Sequence, residues 1–276
     1  MIEAVHAHRV LSTAQISALF FPTTDGMVSS ACRTRLRYLS DAGLLARIEQ
    51  PQTRSEGRRP LLFMPTAEGC QLLIDELDYE PDAIDWKPAH NDVQWPFLAH
   101  QLAINDLYVH VARAVQGLGW QLTTWVDDRF LRKRHTERVT VYIDDRVEEM
   151  AVVPDAYFEI AMPVGLFRFF VEVDRSTMAV SPASHRTKSW QRRILAYQAL
   201  YDSPLMEKLY GTTTIRVLTV TTGGQRRRDN LREAIEAAGG MKRYWLTTAQ
   251  QLSPDTVLTA PIWQVATVTG ERALLA

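Results

Sequence analysis

Cysteine is almost absent: Cys32 and Cys70 are the only two in 276 residues. That excludes a disulfide framework and a cysteine-based zinc site, and both thiols fall in apolar helical patterns where they should pack as small hydrophobes. No run of about 18 apolar residues occurs, and the N-terminal MIEAVHAHRV has no signal-peptide core, so a cytoplasmic protein without a membrane span is expected. Charge of one sign is also missing. With 31 basic and 32 acidic side chains the net charge is −1, which excludes a uniformly basic coat for nucleic acid and leaves only local patches. There is no Gly-x-x-x-x-Gly-Lys phosphate loop, no His-Glu-x-x-His and no Cys-x-x-Cys pair.

What is present suffices for about two domains, with 46% hydrophobic and 23% charged residues. Residues 1–77 read as a helix to about Val10, a second helix over 14–20 capped by Ser12 or Thr13, and a third over 28–42. In the third, Cys32, Leu36 and Leu39 recur at helical spacing, while Arg33 and Arg37 share another face with Ser30 nearby. Gly43 ends it, and two short strands follow around a polar loop over 50–59. Between Val28 and Pro60 seven arginines face Asp41, Glu49 and Glu56, a local charge of +4. Three helices and a two-stranded wing are the pattern of a winged helix-turn-helix, whose third helix enters the major groove. Ser30, Arg33 and Arg37 on the helix, and Arg54, Arg58 and Arg59 on the wing, are the candidate contacts to double-stranded DNA.

Residues 78–96 read as an acidic, proline-interrupted linker, and a second domain is expected over 97–276. It should contain a helix over 96–116, strands over 120–126 and 139–143, and a basic turn over 129–134 between them. A basic helix is expected over about 183–201, a buried strand over 215–221, a helix over 225–238, and strands over 244–247 and 262–265. The fold class is therefore α/β, α+β overall. Arg226, Arg227 and Arg228 fall in the first turn of the 225–238 helix, where the macrodipole disfavours cations, which points to a phosphate or acidic partner or to an exposed charged run.

The stretch VPDAYFEIAMPVGLFRFFVEVDRST, 153–177, organises this domain. It reads as a hairpin turning at Pro163 and Gly165, with Glu172 and Asp174 on one face of its second strand and Asp155 at the start of the first. Acids among Val, Phe and Tyr require compensation by a metal or a basic partner. Pro154-Asp155 followed by Glu172-Val173-Asp174 resembles the PD-(D/E)XK nuclease superfamily, with an Asp where the lysine is expected. The strings PDAYFEI and FFVEVDRST, the Arg193-Ile194-x-x-Tyr197 helix and the preceding winged helix together resemble the replication-relaxation family of plasmids and mobile elements, over about residues 5–220.

The resemblance implies a restriction-endonuclease-like domain in which Asp155, Glu172 and Asp174 hold Mg2+ or Mn2+, with Lys188 or Arg193 as the positive group. It implies work in replication initiation or DNA relaxation, with a relaxase or replication protein as possible partner and a homodimer as the expected assembly. A scaffold with degenerate nuclease chemistry, an active nickase and a winged-helix transcriptional regulator all remain open on these residues.

Overall fold

The computed structural model describes residues 1–50, 59–92, 94–134, 137–143, 146–180 and 189–275. It has the expected mixed α/β class and divides into two compact units, Met1–Val109 and His110–Ala276.

The N-terminal unit runs α1 (Ile2–Ala7), β1 (Leu11–Ser12), α2 (Thr13–Phe20), α3 (Ser30–Asp41), β2 (Leu45–Ile48), β3 (Leu62–Pro65) and α4 (Ala67–Leu77). Ser12 starts α2 through a reciprocal capping box: its hydroxyl accepts from Gln15 N, and Gln15 Oε1 accepts from Ser12 N. The three strands form an antiparallel sheet in the order β1-β3-β2. Val5, Leu11, Ile16, Cys32, Leu36, Leu45 and Phe63 make the core between helices and sheet. Gly43, at φ +73°, turns the chain out of α3. Thr66 then ties this turn to α4, donating to Gly43 O at 2.7 Å and accepting from Gly69 N at 3.0 Å. Short 3₁₀ turns at Pro81–Ala83 and Pro88–Asn91 occupy the acidic segment.

Helix α5 (Trp95–Leu118) begins in this unit and ends in the other. Its first half is held by buried Asn105, whose amide donates to His8 O at 3.2 Å and Val10 O at 2.6 Å. Gln15 Nε2 adds a 2.7 Å bond to Asp106, whose pKa burial raises although that bond pulls it down.

The C-terminal unit is built on one sheet. It comprises β4 (Gln121–Asp127), α6 (Asp128–Arg134), β5 (Val139–Ile143), β6 (Arg146–Met150), β7 (Ala156–Met162), β8 (Gly165–Asp174), α7 (Trp190–Asp202), α8 (Leu205–Tyr210), β9 (Ile215–Thr221), α9 (Gly224–Ala237), β10 (Tyr244–Thr248), β11 (Trp263–Val265) and β12 (Glu271–Arg272). Seven strands lie in the order β12-β11-β10-β9-β8-β7-β4, with β8, β9 and β10 parallel and the remaining neighbours antiparallel. Helices α7 and α9 make the crossovers that parallel neighbours require. The expected hairpin is β7–β8, turning at Pro163 and Val164 before Gly165.

The strands alternate as a two-faced sheet must. Tyr157, Phe170, Val217, Tyr244 and Leu246 pack with Ile194, Tyr197, Leu231 and Ile235 of α7 and α9. On the opposite face Trp125, Phe158 and Phe169 stack across three strands, with ring centroids 5.2 and 4.7 Å apart. Two local expectations change. Residues 128–134 form the helix α6 rather than a turn, because Asp127 accepts from Arg129 N and Leu131 is buried. β6, which the polar RVEEM does not announce, exists because β5 pairs with it along its whole length.

Among the described residues no helix is long and apolar enough to cross a membrane. Phe158 is fully buried between two stacked rings, so Phe158→Ala should lower stability by about 3–5 kcal/mol in urea unfolding of the full chain.

Candidate functional site

Side chains two apart on β8 share a face, and Glu172 and Asp174 both point towards α7 and α9. Each is almost fully buried, which is costly for a charge without a partner. The helices supply the partners.

Glu172 accepts from the Tyr197 hydroxyl at 2.5 Å and lies 2.6 Å from the Arg193 guanidinium. Burial is the largest influence on its carboxyl and pushes it up to about 8, against the pull of Arg193 and of the Tyr197 bond. The same burial, with Glu172 beside it, holds the Tyr197 hydroxyl well above its ordinary value. Asp155 lies at the rim. Its Oδ2 accepts from Val173 N at 2.8 Å, and Arg193 stands 3.8 Å from its Oδ1. Arg193 also donates to Val153 O at 3.0 Å, so one guanidinium ties α7 to β8 and to the segment that leads into β7.

Asp174 belongs to a second cluster. Arg227 grips both of its oxygens, at 2.9 and 2.8 Å, while Thr221 donates to one at 2.7 Å and the Trp190 indole to the other at 3.1 Å. Burial would raise the Asp174 pKa, but these bonds outweigh it and hold it below the ordinary carboxylate value. Gly223 lets the chain pass here: a Cβ would come within 2.3 Å of the Ser176 hydroxyl and 2.8 Å of the Arg227 side chain.

The expected trio is therefore divided between two arginines. Glu172 has one oxygen on Tyr197 and the other on Arg193, and both oxygens of Asp174 are on Arg227. Among the described residues no group of three or more His, Cys, Asp or Glu side chains could hold a metal ion. The arrangement fits Mg2+ or Mn2+ poorly, because a cation bound to Glu172 or Asp174 would sit against the positive charge of Arg193 or Arg227. Lys188 lies outside the described residues. The cation paired with Asp174 is Arg227, in the run whose placement at a helix start points to a phosphate or acidic partner or to an exposed charged run. Arg228 in the same run pairs with Asp229 and Glu271.

The other candidate residues lie on the N-terminal unit. Ser30 is exposed as the first residue of α3. Arg33 and Arg37 are exposed and line a cleft of about 400 Å³ between α3 and the β2–β3 hairpin, together with Arg59 and with Arg47 of β2. Arg47 is missing from the sequence-based candidates. Its signal was the alternation of β2, which places it opposite Phe63 on the cleft side. Arg54 and Arg58 lie outside the described residues. Among the described residues no carboxylate forms an ion pair with Arg33, Arg37 or Arg47.

These features define a mixed α/β protein that joins a small helical unit, with an arginine-lined cleft, to a sheet whose buried acids are neutralised from within. The chain belongs to the replication-relaxation family, whose model matches residues 2–215, close to the span over which the sequence motifs resemble it. No curated protein and no solved structure matched it. Membership points to a role in the replication or relaxation of plasmids or mobile elements.

Two outcomes test the acid clusters. Arg193→Met strands a buried carboxyl and should cost about 3–5 kcal/mol, whereas Arg193→Met with Glu172→Gln should cost clearly less than the sum of the single changes in a urea double-mutant cycle. For Asp174 the folded pKa lies below the unfolded one. Its contribution is complete above the ordinary value of 3.8 and is lost as pH falls through the folded value. Urea midpoints between about pH 2 and pH 6 should fall more steeply on the acid side for the wild type than for Asp174→Asn.

Proposed function

We propose that the N-terminal unit is a winged helix-turn-helix that docks on double-stranded DNA through α3 and the β2–β3 hairpin. On this reading the C-terminal unit is a restriction-endonuclease-like scaffold in which arginines stand in for the metal. The protein then holds DNA during replication or relaxation of a plasmid or mobile element without cutting it.

The observation that carries this reading is how the two units use arginine. In the C-terminal unit Arg129, Arg168, Arg192, Arg193, Arg227 and Arg228 are all committed to carboxylates of the same unit. Arg33, Arg37 and Arg47 of the N-terminal unit form no such pair among the described residues and converge on one cleft. Like charges held together without counter-charges repel, and phosphates relieve that repulsion while releasing counterions. The order helix, helix, helix and hairpin, with α3 beside the hairpin, supports the major-groove mode. The closure of Glu172 by Arg193 and of Asp174 by Arg227 supports binding without hydrolysis.

Purified full-length protein should bind duplex DNA at about 50 mM salt with or without EDTA, and its affinity should fall steeply as salt rises. Replacing Arg33 and Arg37 together by Ala should weaken binding at least about tenfold and reduce the salt slope by about 2. Absence of DNA binding at low salt would overturn the reading. Mg2+- or Mn2+-dependent nicking of supercoiled plasmid that disappears in Asp155→Ala would replace the scaffold with an enzyme.

A further inference from the structure

The strand β5 has an edge that nothing protects. It pairs with β6 in a sheet of two strands, in a regular register without a bulge. Among the described residues no backbone hydrogen bond joins it to any other element, so its second edge has N–H and C=O groups without a backbone partner. Edge strands are usually blunted by a charge, a proline or a bulge, and Val139-Thr140-Val141-Tyr142-Ile143 has none of these. Every one of its residues is β-branched or aromatic.

That edge opens on solvent. A groove of about 680 Å³ is lined by the consecutive residues 138–142 on one side and by Leu195, Gln198 and Ala199 of α7 on the other. Successive residues of a strand point to opposite faces, so a groove that touches all of them runs along the strand's edge. The side chains of Val139, Val141 and Ile143 are buried in the core beneath and are not its open surface. What is open is the backbone edge and the outer face. There Thr140 is exposed, Tyr142 is 75% exposed, and Val147, its cross-strand partner on β6, is 62% exposed.

A strand added at this edge must be extended, uncharged and apolar on alternate residues, and β5 of a second copy meets all three requirements. Turned about a two-fold axis at Val141, the strand lies antiparallel to itself, with Val139 opposite Ile143 and Thr140 opposite Tyr142. No charge enters the new ladder. On the outer face each Tyr142 then lies beside the Thr140 of the other copy, and the two tyrosines become diagonal neighbours at roughly 7–8 Å, within reach of aromatic side chains. An isologous contact requires such self-complementarity, and this singles out the second copy among possible occupants.

We infer that β5 is a dimerisation edge, through which two copies of this chain pair antiparallel to make a continuous four-stranded sheet in the order β6-β5-β5-β6. The pairing is independent of whether the N-terminal unit binds DNA.

Sedimentation velocity of the full chain over a micromolar concentration series tests it. The wild type should dimerise. Thr140→Lys with Tyr142→Lys puts like charges directly opposite each other twice across the two-fold axis, and should weaken the dimer at least about tenfold. Thr140→Lys with Tyr142→Glu puts opposite charges at the same two places and should restore it. Both positions are exposed, so the urea midpoints of dilute protein should match the wild type in each variant. A readout that needs no variant is amide hydrogen exchange, which should slow in β5 of the wild type as concentration rises through the dimerisation range. A monomer at every concentration, or a dimer whose β5 amides exchange as in the monomer, would overturn the inference. A dimer equally stable in all three proteins would do the same, by placing the interface elsewhere. Loss of the dimer in both double variants would overturn the antiparallel register about Val141.

Discussion

The guanidinium of Arg193 is the contact on which the C-terminal unit turns. Glu172 is 1% exposed, and a buried carboxylate without compensation would cost several kcal/mol, about as much as many domains have in total. Arg193 offsets part of that cost, although burial still holds the carboxyl up to about 8, and simultaneously fixes the helix that carries it. Trp190, Arg193 and Tyr197 fall at i, i+3 and i+7, one face of α7, and reach Asp174 and Glu172 on one face of β8. The spacings match. Two residues of strand advance about 6.6 Å, and the three to seven residues of helix between the partners advance about 4.5–10.5 Å. With Arg227 reaching Asp174 from α9, both crossover helices are tied to the same strand by ions, and the apolar core of Phe170, Ile194, Val217 and Leu231 closes around those ties.

That economy explains why a net charge of −1 says so little about this molecule. Charge is not low; it is sorted. In the C-terminal unit Arg129, Arg168, Arg192, Arg193, Arg227 and Arg228 are paired with carboxylates of the same unit, and such pairs project little field beyond themselves. Among the described residues Arg33, Arg37 and Arg47 of the N-terminal cleft pair with no carboxylate, and on the DNA-binding reading it is there that phosphate is held.

Much of this could be read from the sequence, and the gaps have identifiable causes. Val139–Ile143 and Ile215–Thr221 are strands at the bounds read from their β-branched runs, and the period of 2 put Glu172 and Asp174 on a common face. The need for cationic partners was equally legible, since acids embedded among Val and Phe demand them. Their identity was only half legible. Arg193 stood out as a residue of the helix motif, but Arg227 meets Asp174 across 53 residues, and periodicity carries no information over that distance. β6 shows the same limit at short range: RVEEM has little strand propensity and becomes a strand only because β5 lies beside it. Arg47 was missed because the alternation of a four-residue strand is a short signal; the cleft appears only when α3 and the hairpin are seen together.

The choice of arginine in the closing role carries a further consequence. A lysine beside buried carboxylates can lose its proton, and a neutral amine can leave room for a metal or help orient water, which is how a nuclease-like site stays usable. A guanidinium cannot be deprotonated in the physiological range, and its flat fork takes up carboxylate oxygens in fixed directions. Arg227 does this in full, holding both oxygens of Asp174, and Arg193 takes the oxygen of Glu172 that Tyr197 leaves. Raising the pH therefore does not reopen either cluster; opening them requires moving α7 or α9 away from the sheet, against the burial of Trp190, Tyr197, Leu231 and Ile235. On the scaffold reading, the former chemistry of such a site has become its mechanical strength, and the part of the protein left to meet DNA is the cleft where, among the described residues, Arg33, Arg37 and Arg47 pair with no carboxylate.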